Sequence, residues 1–541
     1  MFEPQSAHLR RSAFFFSVAP SNSTIRAPYR GPCDEGVLPF AGSAKGGALL
    51  LPLLSASRLI ANAKTTCLLS RAGHRLAFLL LLLMFPLPVF PSETALDRYV
   101  QAPDSHFRYE LVKKIPGQGY VEYVFDMTSQ QYLTASEVNH PVWKHWLTVI
   151  RPNTVATNIG LLFIDGGENG DAAPDDGDFL ASGIAVSTGA VVATLSMVPN
   201  QPLIFTDDNH ERSEDAIIAY TWDKFLRTGD EKWPVRLPMT KAAVRAMDTV
   251  SGFLASPAGG GSKVDKFVVA GESKRGWTTW TTAAVDKRVV AIMPMVIDLL
   301  NIVPSMTHHH RVYGIFSSEL DDYARAGIMQ WTGTAEYQKL MKIEEPFEYR
   351  DRLTMPKFIV NAAGDQFFVP DSSQFYFDQL QGEKYLRYVP NADHGVLDHS
   401  DAGESLAAFF TSVVTGSKRP DFTWRIQQDG EIIVDTKTRP SAVKLWQATN
   451  PDARDFRLEK IGPAYRSTDL APTRPGHYVA QVQKPAKGYT AYFIELTYPS
   501  PNKYPYKFTT GVKVIPDVYP FPAPKLTAPN GSHPAIYLRN E

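Results

Sequence analysis

An α/β domain built on a mostly parallel sheet, followed by a small all-β domain, is the architecture this sequence predicts. Three observations carry that prediction. From Leu96 onward, β-branched apolar runs alternate with helical segments, the pattern of a sheet covered on both faces. After Ser417 the texture changes to short alternating segments separated by turn residues. The 541 residues, 44% hydrophobic and 21% charged, are enough for two or three such units with buried cores.

Residues 1–75 mix Ser, Ala, Gly, Pro and Arg without a helical or strand period. They read as an extension that is either disordered or lies upstream of the true start of the protein. Residues 76–95 follow, with the apolar run Leu76 to Phe90 behind Arg71, His74 and Arg75. Roughly ten to fifteen apolar residues after a basic flank suit a secretory signal, because a bilayer span wants about twenty. Neither Phe90-Pro-Ser92 nor Glu93-Thr-Ala95 offers a small-x-small cleavage site, so an uncleaved membrane anchor stays open. The expected location is secreted or periplasmic, with membrane association through Leu76 to Phe90 as the variant. Both cysteines, Cys33 and Cys67, precede this run, so everything after it is free of disulfides and Cys-based zinc sites. Net charge is −1 with both signs interspersed, which excludes the basic footprint that phosphate-backbone binding needs.

Residues 97–417 carry eight strand-like runs in order. Val121 to Asp126 and His145 to Ile150 open as antiparallel strands. Ile159 to Ile164, Ala190 to Met197, Lys266 to Ala270, Val289 to Ile297, Lys357 to Asn361 and Lys384 to Val389 follow. Between the fourth and fifth, Glu214 to Leu226 and Met239 to Phe253 have apolar residues at helical spacing. The stretch of about 298–354 exceeds what one crossover helix needs and is expected to form a cap. In residues 418–541, the runs Phe422 to Ile426, Glu431 to Val434, Ala442 to Trp446, His477 to Val482, Thr490 to Leu496 and Lys507 to Val512 suggest an immunoglobulin- or fibronectin-III-like sandwich. Asp429-Gly430 is the expected hairpin turn between the first two.

The residues with chemical potential stand at strand ends. Val268-Val-Ala-Gly-Glu-Ser-Lys-Arg-Gly-Trp277 runs from an apolar strand through Ser273 into helical sequence, the composition a nucleophile elbow requires. The usual G-x-S-x-G spacing is broken, because Arg275 holds the second glycine position and Gly276 comes one later. Asp365, after Lys357 to Gly364, could orient an imidazole, although Gly-Asp is more often a plain turn. Asp298, at the end of the sixth run, is an alternative acid, and Asp371 looks like a helix N-cap. His394, in Val389-Pro-Asn-Ala-Asp-His-Gly395, is the candidate base, with His399 a nearby competitor. Ser, Asp, His is the chain order of the α/β-hydrolase fold, which is the expected fold of this part. Oxyanion donors are expected from the Lys274 N–H and from Gly167 or Glu168 in Ile164-Asp-Gly-Gly-Glu-Asn-Gly170. The Lys274 and Arg275 side chains could also bind an anion. His308-His309-His310 cannot all face one ion from a regular element, and no spaced carboxylate accompanies them. A place in the cap lining the pocket suits them better, as it does Trp277, Trp280 and Trp331. No metal or cofactor is expected.

The run Gly271-Glu-Ser-Lys-Arg-Gly-Trp-Thr-Thr-Trp280, with Trp233 to Asp248 upstream and Asn361-Ala-Ala-Gly-Asp-Gln-Phe-Phe368 downstream, resembles the PhoPQ-activated pathogenicity-related protein family. That family is α/β-hydrolase-like and related to autocrine proliferation repressor proteins. The resemblance implies an exported hydrolase-fold protein and supports Ser273, Asp365 and His394. The serine followed by basic residues is also similar to the elbow of glucuronoyl esterases. The expectation is therefore a secreted serine hydrolase, of esterase or amidase type, acting on a small-molecule, peptide or glycan ester. A non-catalytic binding or signalling protein on the same scaffold, or a carbohydrate esterase, is the alternative.

Overall fold

The computed structural model describes residues 93–175, 179–398 and 400–535. The apolar run Leu76 to Phe90 and His399 lie outside the described residues. Among the described residues, no helix is long and apolar enough to cross a membrane.

The centre is a nine-stranded sheet. Its strands are β1 (Arg108–Gly117), β2 (Tyr120–Gln131), β3 (Val142–Pro152), β4 (Ile159–Ile164) and β5 (Val192–Leu195), then, after the two-residue ladder of β6 (Leu203–Ile204) and β7 (Glu211–Arg212), β8 (Lys266–Glu272), β9 (Val289–Met295), β10 (Lys357–Ala362) and β11 (Lys384–Val389). The order is β1-β2-β3-β5-β4-β8-β9-β10-β11. Pairing is antiparallel from β1 to β5 and parallel from β5 onward. This is the α/β-hydrolase topology with one strand more than the eight expected. The extra one, β1, is an edge strand whose side chains are mostly exposed and whose ladder is broken by a bulge between Leu111 and Lys113. With Lys113, Lys114 and Pro116 in it, it offers no buried alternation to read, which is how edge strands avoid unwanted pairing.

The parallel strands are buried on both sides. Phe267 and Val269 of β8 join one apolar core while Val268 and Ala270 join the other, so the period of two feeds two layers rather than one. The first layer holds α1 (Ala95–Gln101), α3 (Glu214–Thr228), α4 (Arg236–Ala255) and α5 (Lys274–Val285); the second holds α2 (Phe179–Thr188) and α9 (Ala402–Thr415). Helices α3 and α4 match the two helical periods read from the sequence. Between β9 and β10, α6 (Ile302–Tyr313), α7 (Asp321–Arg325) and α8 (Ala335–Glu344), with short 3-10 turns between them, make up the segment read as a cap.

Beyond α9 come β12 (Phe422–Ile426), β13 (Ile432–Thr436), β14 (Ala442–Asn450), the one-turn α10 (Leu458–Ile461), β15 (Arg466–Asp469), β16 (His477–Ala480), β17 (Tyr489–Tyr498), β18 (Tyr506–Thr509) and β19 (Lys513–Ile515). They form antiparallel sheets in the orders β12-β13-β16 and β15-β14-β17-β18, with β19 also pairing β17. Gly430 closes the β12–β13 hairpin at φ 92°, where a side chain would be strained. The β-rich part is joined to the parallel sheet by aromatic packing. The Phe508 ring stacks 4.3 Å from Tyr385 of β11 and meets Phe358 of β10 edge-on at 5.3 Å.

Candidate active site

Ser273 stands at the junction of β8 and α5 with φ 54° and ψ −123°. An L-residue holds that left-handed backbone only where its surroundings enforce it. Ser273 N–H donates to the Met295 carbonyl, and its own carbonyl accepts from Trp277 N–H, which begins the helix. The displaced glycine does the work the usual spacing assigns to an earlier one. A Cβ on Gly276 would come within 2.7 Å of the Met295 carbonyl oxygen, and one on Gly271 within 2.7 Å of the Arg275 carbonyl oxygen. Arg275 is tolerated between them because its side chain leaves the elbow. Its Nε donates to the Val198 carbonyl at 2.5 Å, and its two terminal nitrogens bind Glu214 at 2.9 and 2.6 Å.

Asp365 and His394 come together from the loops after β10 and β11. His394 Nδ1 is 3.1 and 3.0 Å from the two Asp365 oxygens, and the carboxylate also accepts from Phe367 N–H at 2.7 Å. The two loops can meet because residue 364 has no side chain. A Cβ there would sit 2.8 Å from the Ala392 carbonyl oxygen and 3.0 Å from Leu458 Cβ. The far ring nitrogen of His394, Nε2, is buried and has no hydrogen-bond partner. Ser273 and His394 are not hydrogen-bonded to each other among the described contacts. They share neighbours instead: the Phe367 ring is 4.2 Å from the His394 ring, and Phe367 and Phe368 line the same cavity as Ser273. Glu272, beside the serine, is half-buried with Oε1 unpartnered; loss of solvent around it pushes its carboxyl up to about 7, against the opposing pull of His394.

The other expected participants divide. Asp298 does not reach His394; its oxygens accept from Tyr376 at 2.7 Å and Tyr388 at 2.6 Å, and burial pushes it up to about 8 despite those hydroxyls. Glu168 N–H is already committed to Asp171 Oδ2 at 2.9 Å. Gly167, at φ 127°, has Met197 and Asp171 where a Cβ would be. Lys274 N–H lies in the first turn of α5, where a helix supplies no acceptor. Neither basic side chain of the elbow is free for an anion. Lys274 Nζ is 2.7 Å from Glu214 and 3.0 Å from Asp215, and Arg275 is held by Glu214. Burial would raise Glu214, but Arg275 and Lys274 hold its carboxyl well below the usual range.

The three histidines of α6 go separate ways. His308 bridges Asp371 at 2.8 Å and the Tyr519 hydroxyl at 2.9 Å. His309 accepts from Ser317 N–H at 3.0 Å, and burial lowers it to about 3. The His310 ring meets that of Phe316 at 5.3 Å. None of them lines the cavity beside the serine. Asp371 caps nothing with its side chain; burial would raise it, but His308 and Arg454 hold it low.

The cavity beside Ser273 encloses about 50 Å³. Cap residues Leu299, Ile302, Met306, Leu320, Tyr323, Ile328, Met329 and Tyr337 line it together with Trp222 and Trp277. Trp277 thus stands where the sequence reading puts it, whereas Trp280 and Trp331 do not line it. Two charged residues that the sequence reading passed over, Asp215 and Arg236, also line it. The available signal was Arg236 itself, a cation set between Val235 and Leu237 at the start of α4.

A model of the PhoPQ-activated pathogenicity-related protein family matches residues 96–457. Autocrine proliferation repressor protein A of Dictyostelium discoideum is 37% identical over 471 residues, which cover 82% of this chain and 94% of that protein. Among solved structures, an acetyl xylan esterase from Paenibacillus sp. R4 aligns at 14% identity over 61% of this chain and 96% of its own, with a TM-score of 0.40. The acylaminoacyl peptidase of Pyrococcus horikoshii aligns at 12% identity over 56% and 49%, with a TM-score of 0.34. Scores this low leave the site to be argued from its own residues, whereas the family match spans most of the chain. The chain belongs to the PhoPQ-activated pathogenicity-related protein family.

Proposed function

We propose that the protein is an exported serine hydrolase that cleaves an ester or amide through an acyl-enzyme. The observation that carries this reading is the Asp365–His394 pair beside a serine held at φ 54°. With its Nδ1–H fixed on the carboxylate, His394 is left in the tautomer whose Nε2 accepts a proton. Ser273 Oγ attacks the carbonyl carbon and its proton passes to Nε2. The tetrahedral oxyanion is met by the N–H groups of Lys274 and Gly167. The imidazolium then protonates the leaving alcohol or amine as its bond to carbon breaks. Water, deprotonated by His394, attacks the acyl-serine and frees the acid and the serine hydroxyl. The missing Ser273–His394 bond is consistent with sites that tighten only around substrate.

A fluorophosphonate probe should label the full chain at Ser273, and Ser273→Ala should fold normally without being labelled. Equal labelling of the alanine variant would remove Ser273 as the nucleophile. A second reading, a non-catalytic signalling protein on this scaffold, is favoured by that unmade hydrogen bond and by a relative named as a proliferation repressor. Failure of the wild type to be labelled, with saturable binding to a cell surface, would favour it over hydrolysis. Export through the apolar run Leu76 to Phe90, cleaved or retained as an anchor, belongs to the same proposal, as does a division near residue 417 between a hydrolase domain and a recognition sandwich.

A further inference from the structure

Arg236 begins α4, lines the same cavity as Ser273, and has a side chain only 5% exposed. A guanidinium has five N–H donors and keeps its charge at every relevant pH, so a buried one normally finds acceptors for most of them. Here Nε and Nη1 have none. The carboxylate nearest to it, Glu344, is 3.6 Å from Nε, outside hydrogen-bond reach, and accepts instead from Trp222 Nε1. Burial pushes the Glu344 carboxyl up to about 7, against the opposing pull of Arg236. The other cation of the cavity, Lys274, is already paired with Glu214 and Asp215.

The guanidinium lies 4.0 Å over the Trp277 ring. Stacking occupies its face and leaves the in-plane donors Nε and Nη1 without an acceptor, and it is by such an edge that a guanidinium meets a carboxylate. Apart from Ser273 and the Asp215–Lys274 ion pair, the wall is apolar or aromatic, so an incoming anion would be attracted through a poorly screening medium.

We propose that Arg236 is the specificity-determining residue of this cavity and binds a free carboxylate on the substrate, which is therefore an acid that also carries the ester or amide to be cleaved. This rests on the hydrolase reading above for the cleavage, but not for the binding. The spacing of the two functions is read by a series of chain lengths.

The test titrates the full-length Ser273→Ala protein, which cannot turn the probes over, with the monomethyl esters of succinate, glutarate and adipate and with their dimethyl esters. At least one monoester should bind tenfold or more tighter than its dimethyl partner. Arg236→Gln should abolish that ratio and Arg236→Lys should restore part of it, a pattern that a purely structural role would not produce. Equal binding of every pair, or a ratio that survives Arg236→Gln, would overturn the assignment. Should the Arg236 variants fail to fold, protection of wild-type Ser273 from fluorophosphonate by the monoester alone supports it, and equal protection by both esters overturns it. Absence of labelling in wild type would sink the hydrolase reading while the titration still decides Arg236.

Discussion

At Ser273 the backbone is held at φ 54°, a conformation that costs of the order of 1–3 kcal/mol. Two glycines, 271 and 276, make it attainable by letting the strand and the helix close on each other. Asp298 is a different kind of buried acid, sealed among Tyr376 and Tyr388 and pushed up by burial to about 8. Between its unfolded value near 3.8 and about 8, the native state keeps a proton that the unfolded chain has lost. Its contribution to stability is thus fully present at low pH and is lost as pH rises through that window. Asp298→Asn, which cannot ionise, should therefore gain on the wild type as pH goes from 5 to 8 in chemical denaturation. A difference between the two proteins that stays constant with pH would show that Asp298 is already ionised at pH 5.

At the level of elements, the site is built where α3 meets the start of α5. Glu214, at the first position of α3, binds Lys274 and Arg275 together and so pins the helix that follows Ser273. Glu214→Gln leaves two buried cations with one carboxylate fewer. Because Glu214 is about a third exposed, the expected cost is about 1–3 kcal/mol, below that of a fully buried pair, read as a lower denaturant midpoint. The strands and helices of this region were legible in the sequence because each has a clean period or a run of β-branched residues. The edge strand β1 was not, since it faces water with lysines and a proline. Nor were β15 and β19, of four and three residues, which are too short to show a period. The proposed site was legible only where a turn signal fell at a strand end, as with Ser273, Asp365 and His394. Arg236 was hidden because its meaning depends on which helix face meets the cavity, and Glu168 was misread because composition does not reveal that Asp171 takes its N–H.

Across the whole molecule, two apolar cores flank the sheet and both extend into the C-terminal strands: Phe493 and Val514 belong to one, Phe508 and Leu496 to the other. Phe508 is fully buried against rings from the parallel sheet and from β12. Phe508→Ala should cost about 3–5 kcal/mol, and calorimetry should show one transition moving as a unit. Two separate transitions in the wild type would mean that the shared cores do not couple the parts. The same interlocking reaches the site. Leu458 N–H donates to the Gly364 carbonyl next to Asp365, and Asn391 exchanges two hydrogen bonds with the Tyr465 backbone three residues before His394. The Asp365–His394 pair is therefore tied to the very portion that a separable accessory module would have to leave behind. A displacement of residues 458–465 would pull on the loops that carry Asp365 and His394.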